Sequence, residues 1–398
     1  EHVAQTGATQ VGARDFLIAI NYNLNTTSTR RANAIAFDVR EKGRPKRVGP
    51  KVTDKPMKDE NGNTIMIPGT LKGTKAIGWF IDAYGIAQVS MNITNINVSP
   101  VHVCFDEVCA KAAARGVRVT GAEIVGLIPK KVLIDAGKYY LAKQQRSLGI
   151  SEDEIMKIAV KSMGLDDLKP FNPKEKVIEY LIEDSSEKKL VDMTCTGFAN
   201  ETASESPAPG GGSISAYMGA LGAALGTMVA NLSSHKPGWD DRWEEFSQWA
   251  EKGQAIKDEL LALVDEDTNA FNKIMAALQM PKKTDADKAA RMEALELASQ
   301  YATQVPFKTM NVAFKAFDVV EAMAKEGNPA SVSDAGVGAL CCRSAVMGAY
   351  LNVKINAAGL KDRTFADNIV AEGAKIEAAA IAKETEILAL VNKIINKE

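Results

Sequence analysis

The residue most able to do chemistry is an acid in the wrong place for a solvated helix. Leu260, Val264, Phe271, Ile274 and Leu278 follow one another at spacings of four, seven, three and four, which is a helical seam with one apolar position missing. That position holds Asp267, whereas Asp265 and Glu266 turn to solvent or to a flank. A carboxylate on a core-facing stripe is costly unless it is paired, protonated or opened onto a polar cavity. Burial raises a carboxyl pKa, which makes Asp267 a candidate proton shuttle near neutral pH. The competing reading is an Asp paired with Lys or Arg of a neighbouring helix.

Two further groups of polar residues accompany it. Pro209, Gly210, Gly211, Gly212 and Ser213 precede a long apolar segment, so their backbone N–H groups can open a helix and hold an anion or a polar ligand edge. The stretch lacks the GxxxxGK[ST] form of a nucleotide phosphate loop; otherwise it reads as a flexible linker ending in a Ser N-cap. Ser333 and Asp334 fit an ordinary helix start. Asn352 and Asn356, four apart, share one face of an apolar run, and two amides there need partners. Those are either other helices or a flat heterocycle rich in amide-like donors and acceptors.

The three histidines, His2, His102 and His235, read as surface or capping residues. The five cysteines, Cys104, Cys109, Cys195, Cys341 and Cys342, form no CxxC pair, so no metal site is expected and reduced thiols in a cytoplasmic protein fit best. A net charge of −2, with 25% charged residues, gives no basic stripe and argues against a nucleic-acid partner. The densest basic cluster, Lys42 to Lys51, is a solvated loop.

At 398 residues the chain is expected to form two domains. The first half alternates strand-like and helix-like segments: Asp15–Leu24, Lys75–Phe80, Gly85–Thr94 and Val117–Val125 read as strands, and Ser28–Arg40, Pro100–Arg115 and Pro129–Leu148 as helices. This is an α+β sandwich, with helices on one face of a mostly antiparallel sheet. Asn61-Gly62 marks the tip of a hairpin. After a polar linker come five helical segments, about 213–234, 240–279, 285–325, 333–358 and 364–396, which make an all-α helical bundle. Pro306 should kink or divide the third. The predicted boundaries are residues 1–182, a linker at 183–190, and 191–398. Ile214 to Leu232 carries no charge, yet its Ala and Gly suit tight packing inside a protein rather than a membrane. The chain opens on Glu without a secretory segment and reads as the remainder of a longer protein.

These residues together resemble a known family. Ala208-Pro-Gly-Gly-Gly-Ser213, Gly222-Ala-Ala-Leu-Gly226, Leu263-Val-Asp-Glu-Asp267 with Ala270-Phe271, Val305-Pro306, Gly327-Asn328, Ser333-Asp334, Gly348-Ala-Tyr-Leu-Asn-Val353 and Ile355-Asn356 occur in the order seen in the cyclodeaminase domain of bifunctional formimidoyltransferase–cyclodeaminases, enzymes of histidine degradation. In the first half, Gly12-Ala-Arg14, Phe16-Leu-Ile-Ala19, Ile77-Gly-Trp79, Ala87-Gln-Val-Ser90, Val125-Gly-Leu127 and Ile178-Glu-Tyr-Leu181 resemble the C-terminal subdomain of the transferase part, with Lys46 to Leu71 as an insertion.

The resemblance implies a lyase that closes 5-formimidoyl-tetrahydrofolate to 5,10-methenyl-tetrahydrofolate and releases ammonia. Asp267 would be the single acid/base residue, with Pro209, Gly210, Gly211, Gly212, Ser213, Asp334, Asn352 and Asn356 holding the folate. Tetrahydrofolate, as its polyglutamate, would be substrate and carrier, with no bound cofactor. Homodimers through the helical domain, and a ring of dimers in the full-length protein, are also implied. In the family the transferase histidine lies in a Glu-His-Pro context in an N-terminal subdomain. Here Glu1-His2 is followed by Val3, so that subdomain is expected to be absent and transferase activity doubtful. The alternatives are a methenyl-tetrahydrofolate cyclohydrolase, with water as nucleophile, and a non-catalytic folate-binding or assembly protein.

Overall fold

The structure, a computed structural model, describes residues 7, 11–12, 15–182 and 189–397. His2, Ala13, Arg14 and most of the expected linker lie outside the described residues. The chain divides into two compact units: Glu1–Lys143 with Glu152–Glu183, and Gln144–Ser151 with Asp184–Glu398.

The first unit contains β1 (Ile18–Leu24), α1 (Thr29–Val39), β2 (Thr74–Ile81), β3 (Ile86–Ile93), α2 (Val101–Ala113), β4 (Val119–Val125), α3 (Lys130–Lys143) and α4 (Glu152–Met163). The strands make one antiparallel sheet in the order β2-β3-β1-β4. Period-two alternation puts Ile18, Ile20, Tyr22 and Leu24 of β1 beside Val89, Met91 and Ile93 of β3 on the core face, under Ile35, Val108 and Leu133 of the helices. The opposite face carries a buried polar network: Gln88 Nε2 donates to Asn23 Oδ1 (2.8 Å), and Asn23 Nδ2 to Asp167 Oδ2 (3.2 Å). Between α1 and β2, Arg44–Pro45 pairs with Met66–Ile67, and Lys58 bridges Thr64 around the turn at Asn61-Gly62, where Gly62 has φ +81°.

The second unit is a bundle of α5 (Gly211–Ser234), α6 (Trp243–Gln279), α7 (Asp285–Glu326), α8 (Val332–Ala358) and α9 (Arg363–Asn396). Thr284 and Asp287 form a capping box that starts α7. Helix α5 is the only one among the described residues long and apolar enough to cross a membrane, and it is a core helix packed by α6, α7 and α8. At Gly222 an added Cβ would lie 2.8 Å from Cys342 Sγ and 3.0 Å from the Gly338 carbonyl oxygen of α8, so the two helices touch at backbone distance.

Three details depart from the sequence reading. Pro306 does not divide α7, which runs unbroken from Asp285 to Glu326. Lacking an N–H, Pro306 leaves the Ala302 carbonyl without its helical donor, and Asn356 Nδ2 of α8 supplies one at 2.7 Å. Next, the seam of α6 shifts by one residue past Asp267: Ala270 and Ala277 are buried, while Phe271 and Leu278 are 41% and 42% exposed. Alanine is small enough for α7 to pack closely there, and the bulkier side chains sit about 100° away around the helix. Finally, Gln144–Ser151 belongs with the second unit. Leu148 N donates to Ser247 Oγ (2.9 Å), and Asn231 Nδ2 to the Gly149 carbonyl oxygen (2.9 Å). Docking of this kind is tertiary and has no local sequence signature.

Candidate active site

Helix α5 begins with three glycines and so brings no side chain to cap itself; Gly210 is its N-cap. The cap comes from another helix. Asp267 of α6 accepts the Ser213 N–H at Oδ2 (2.9 Å), the geometry by which a capping side chain satisfies an orphan donor of the first turn. Ser213 is therefore not an N-cap. It is fully buried, its hydroxyl donates to the Val264 carbonyl oxygen (2.9 Å), and its Oγ lies 3.2 Å from Asp267 Oδ2. Gly212 admits the carboxylate: a Cβ built there would stand 2.0 Å from Oδ1 and 2.4 Å from Cγ.

Asp267 is thus packed against a backbone that only glycine permits. Burial raises its pKa above the ordinary carboxyl value, and the two hydrogen bonds from Ser213 oppose that rise without cancelling it. Among the described residues no Lys or Arg forms an ion pair with it. Its neighbours are spoken for elsewhere: Asp265 Oδ1 accepts the Leu190 N–H (2.6 Å), and Glu266 accepts the Tyr301 hydroxyl. A carboxyl lifted towards neutrality, with one oxygen anchored, can take up a proton and hand it on.

The other predicted residues divide. Gly212 and Ser213 meet Asp267, while Pro209, Gly210 and Gly211 lie just ahead of them in the chain, with Pro209 buried and following a cis peptide. Asn352 joins them: its Nδ2 would lie 3.3 Å from a Cβ at Gly211, and it donates to the Gly348 carbonyl oxygen (2.9 Å). Asn356 spends its amide N–H on Ala302, as described above. Asp334 is not brought to the cluster. It lies in the first turn of α8, about 27 Å of helix from Asn352 at 1.5 Å per residue. Because α5 runs antiparallel to α8, Gly348 sits beside Ser215 at one end and Gly338 beside Gly222 further along.

Sequence reasoning missed a second cluster next to Asp267. Lys273 Nζ sits 3.6 Å from the Tyr301 ring centroid and 3.8 Å from Glu266 Oε1. Glu266 and Lys273 share a helix face at seven-residue spacing, but Tyr301 arrives from α7 and leaves no local trace. Of the histidines, His102 departs from expectation, whereas His235 is exposed, as expected. His102 is buried (8% exposed), its ring tilted against Tyr139 at 4.5 Å between centroids, with Nδ1 unpartnered and its pKa lowered mainly by burial. His235 Nε2 accepts the Ser147 N–H (3.2 Å).

Comparison with known proteins adds a family to this geometry. A family model described as Formiminotransferase-cyclodeaminase matches residues 194–375, and one described as Formiminotransferase domain matches residues 19–183. The expected absence of a transferase subdomain finds no support in these matches, which place a formiminotransferase domain in the first half. The chain is 37% identical to the formimidoyltransferase-cyclodeaminase of Gallus gallus, over 91% of this chain and 63% of that protein. It is 34% identical to that of Sus scrofa, over 96% of this chain and 68% of the relative. The methenyltetrahydrofolate cyclohydrolase of Methylorubrum extorquens is 36% identical over 203 residues, 51% of this chain and 98% of that protein. The chain thus spans a little under two thirds of the length of the chicken relative. With relatives along nearly its whole length, the chain belongs to the formimidoyltransferase-cyclodeaminase family.

Proposed function

We propose that the helical unit, residues 191–398, cyclises 5-formimidoyl-tetrahydrofolate to 5,10-methenyl-tetrahydrofolate and releases ammonia. The observation that carries this reading is the half-buried Asp267 carboxyl, held by Ser213 and lifted in pKa. N10 of the folate attacks the protonated formimidoyl carbon on N5, giving a tetrahedral carbon that bears NH2. Asp267 takes the N10 proton and passes it to that nitrogen; the C–N bond breaks, ammonia leaves, and the methenyl cation remains. Such a shuttle contributes roughly 100- to 10,000-fold, and alignment of N10 with the carbon supplies much of the rest. Asn352 and the Gly210–Ser213 turn lie where they could hold polar edges of the pterin, with tetrahydrofolate as substrate and no bound cofactor. The test follows methenyl absorbance with 5-formimidoyl-tetrahydrofolate. The wild-type chain should form product, and Asp267→Asn should lose about 100-fold or more. A fully active Asp267→Asn would remove Asp267 from the mechanism.

The cyclohydrolase relative supports one alternative, in which the same pocket adds water to the methenyl carbon. Release of ammonia or of formyl-folate separates the two, and the non-catalytic reading fails if either appears. To the first unit we assign formimidoyl transfer from formimidoylglutamate to tetrahydrofolate, on the strength of the formiminotransferase match; glutamate release by the chain would support it, and none from a folded chain would refute it. A cytoplasmic homodimer through the helical unit, extended to a ring in the full-length protein, completes the proposal. Exposed Leu221, Met228 and Leu232 on α5 and Val337 and Leu340 on α8 favour such pairing. A monomeric mass by light scattering would exclude it.

A further inference from the structure

Beyond Asp267, α6 and α7 continue past the start of α5 and the end of α8 and flank an open cavity of about 430 Å³. Its walls include Lys273 and Ala277 of α6, Met280 just after it, and Leu297, Ala298 and Tyr301 of α7. The volume lies within the range of roughly 300–1,000 Å³ usual for small-molecule sites. It neighbours the proposed site along both helices: Ala298 is one turn from Ala302, whose carbonyl Asn356 holds, and Asp267, Ala270, Ile274 and Ala277 follow one another along α6. We infer that this cavity holds the p-aminobenzoyl ring of the folate substrate, and that Lys273 receives the first glutamate carboxylate of its tail.

The groups along α6 follow the order of the parts of a folate. A folate is a polar pterin, then an aromatic amide, then one or more glutamates with free carboxylates. Along α6 the chain presents a carboxyl at 267, then the largely apolar cavity with one aromatic wall and one cation, and then Lys282 and Lys283 in the exposed turn after Met280. Asp267 and Met280 are thirteen residues apart, about 20 Å of helix, which suits an extended folate. The Lys273 ammonium is already located by the Tyr301 ring and Glu266, so little side-chain entropy remains to be lost on meeting a carboxylate. Tyr301, in turn held by Glu266 and with Lys273 over one face of its ring, lines the cavity beside the aminobenzoyl ring.

This inference rests on the folate reading above, and the test keeps the two apart. Calorimetry would measure binding of 5-formyl-tetrahydrofolate and of 6-methyl-tetrahydropterin, which has no tail, to the wild-type chain and to Lys273→Met, Ala298→Phe and Leu297→Asp. Leu297 is exposed, so its variant folds even if Ala298→Phe does not. The expectation is about a tenfold loss of 5-formyl-tetrahydrofolate affinity in Lys273→Met, with pterin binding within about twofold, and a rise in KM at unchanged kcat for cyclisation. Wild-type binding matched by both Lys273→Met and Leu297→Asp would overturn the inference. A chain that binds the folate in this way but releases no ammonia would overturn the cyclodeaminase reading alone, and a chain that binds no folate overturns both.

Discussion

Gly212→Ala is the most exacting perturbation of the site, because it adds one methyl group and removes nothing. The new Cβ would stand 2.0 Å from Asp267 Oδ1, where ordinary contact begins at 3.4 Å, so the carboxyl must retreat by about 1.4 Å. A retreat of that size breaks the 2.9 Å bond from the Ser213 N–H. Misplacing a catalytic group by 1 Å costs on the order of 100-fold in rate. Stability should suffer less, since overpacking costs about 1–3 kcal/mol while Gly→Ala in a helix returns up to about 1 kcal/mol. The pH profile carries a second signature. The Ser213 hydrogen bonds hold the Asp267 pKa down against burial, so losing them moves it further up, and the limb reporting its ionisation shifts to higher pH. Gly211→Ala is the internal control: its Cβ would meet Asn352 Nδ2 at 3.3 Å, a contact relieved by a few tenths of an ångström. Steady-state cyclisation from pH 5 to 9 measures both variants. If Gly212→Ala keeps kcat within about threefold of wild type, an effect no larger than that of an ordinary surface change, with an unmoved profile, the placement of Asp267 against Gly212 does not govern the chemistry.

Asp267→Asn should stabilise the fold while it destroys activity. A raised carboxyl pKa means that ionisation opposes folding, so the penalty is absent below the unfolded value of about 3.9 and is complete above the folded value. The Asn variant should therefore melt higher at pH 7, by about 2–4 °C per kcal/mol gained, and like the wild type at pH 3; equal melting at both would contradict the linkage. Asp334→Ala should leave kcat/KM within about threefold, and a larger loss would mean that Asp334 reaches a site on another copy of the chain. Asn356→Ala should cost about 1–3 kcal/mol by stranding the Ala302 carbonyl, but little in a Pro306→Ala background that restores the helical N–H. Urea denaturation of the four-member cycle checks this, and additive costs would dismiss the pairing.

What the sequence revealed was mostly what repeats along a helix or strand. The bounds of α5 to α9, the strands of the first unit and the Asn61-Gly62 turn followed from period and punctuation. Asp267 was legible because it interrupts a seam, and interruption is a local signal. Its partner was not, because Ser213 lies 54 residues away and only folding brings α5 and α6 together. The same limit hid Tyr301 beside Glu266 and Lys273, the docking of Gln144–Ser151 and the burial of His102. Phe271 and Leu278 misled for a different reason. They obey the helical period one residue out of phase with Ala270 and Ala277, and hydrophobicity alone ranks the larger side chain as core.

The pairing of Pro306 with Asn356 also makes the order of genetic change matter. Losing Asn356 first strands a buried carbonyl, a step selection would resist. Losing Pro306 first restores the N–H to α7 and releases Asn356 to drift. Lineages descending from such a protein should therefore show proline at this position only with a donor at the other, whereas chains without the proline should be free to carry any residue of suitable size where Asn356 stands. A historical path between the two states has one open direction, and it begins in the helix rather than at the amide.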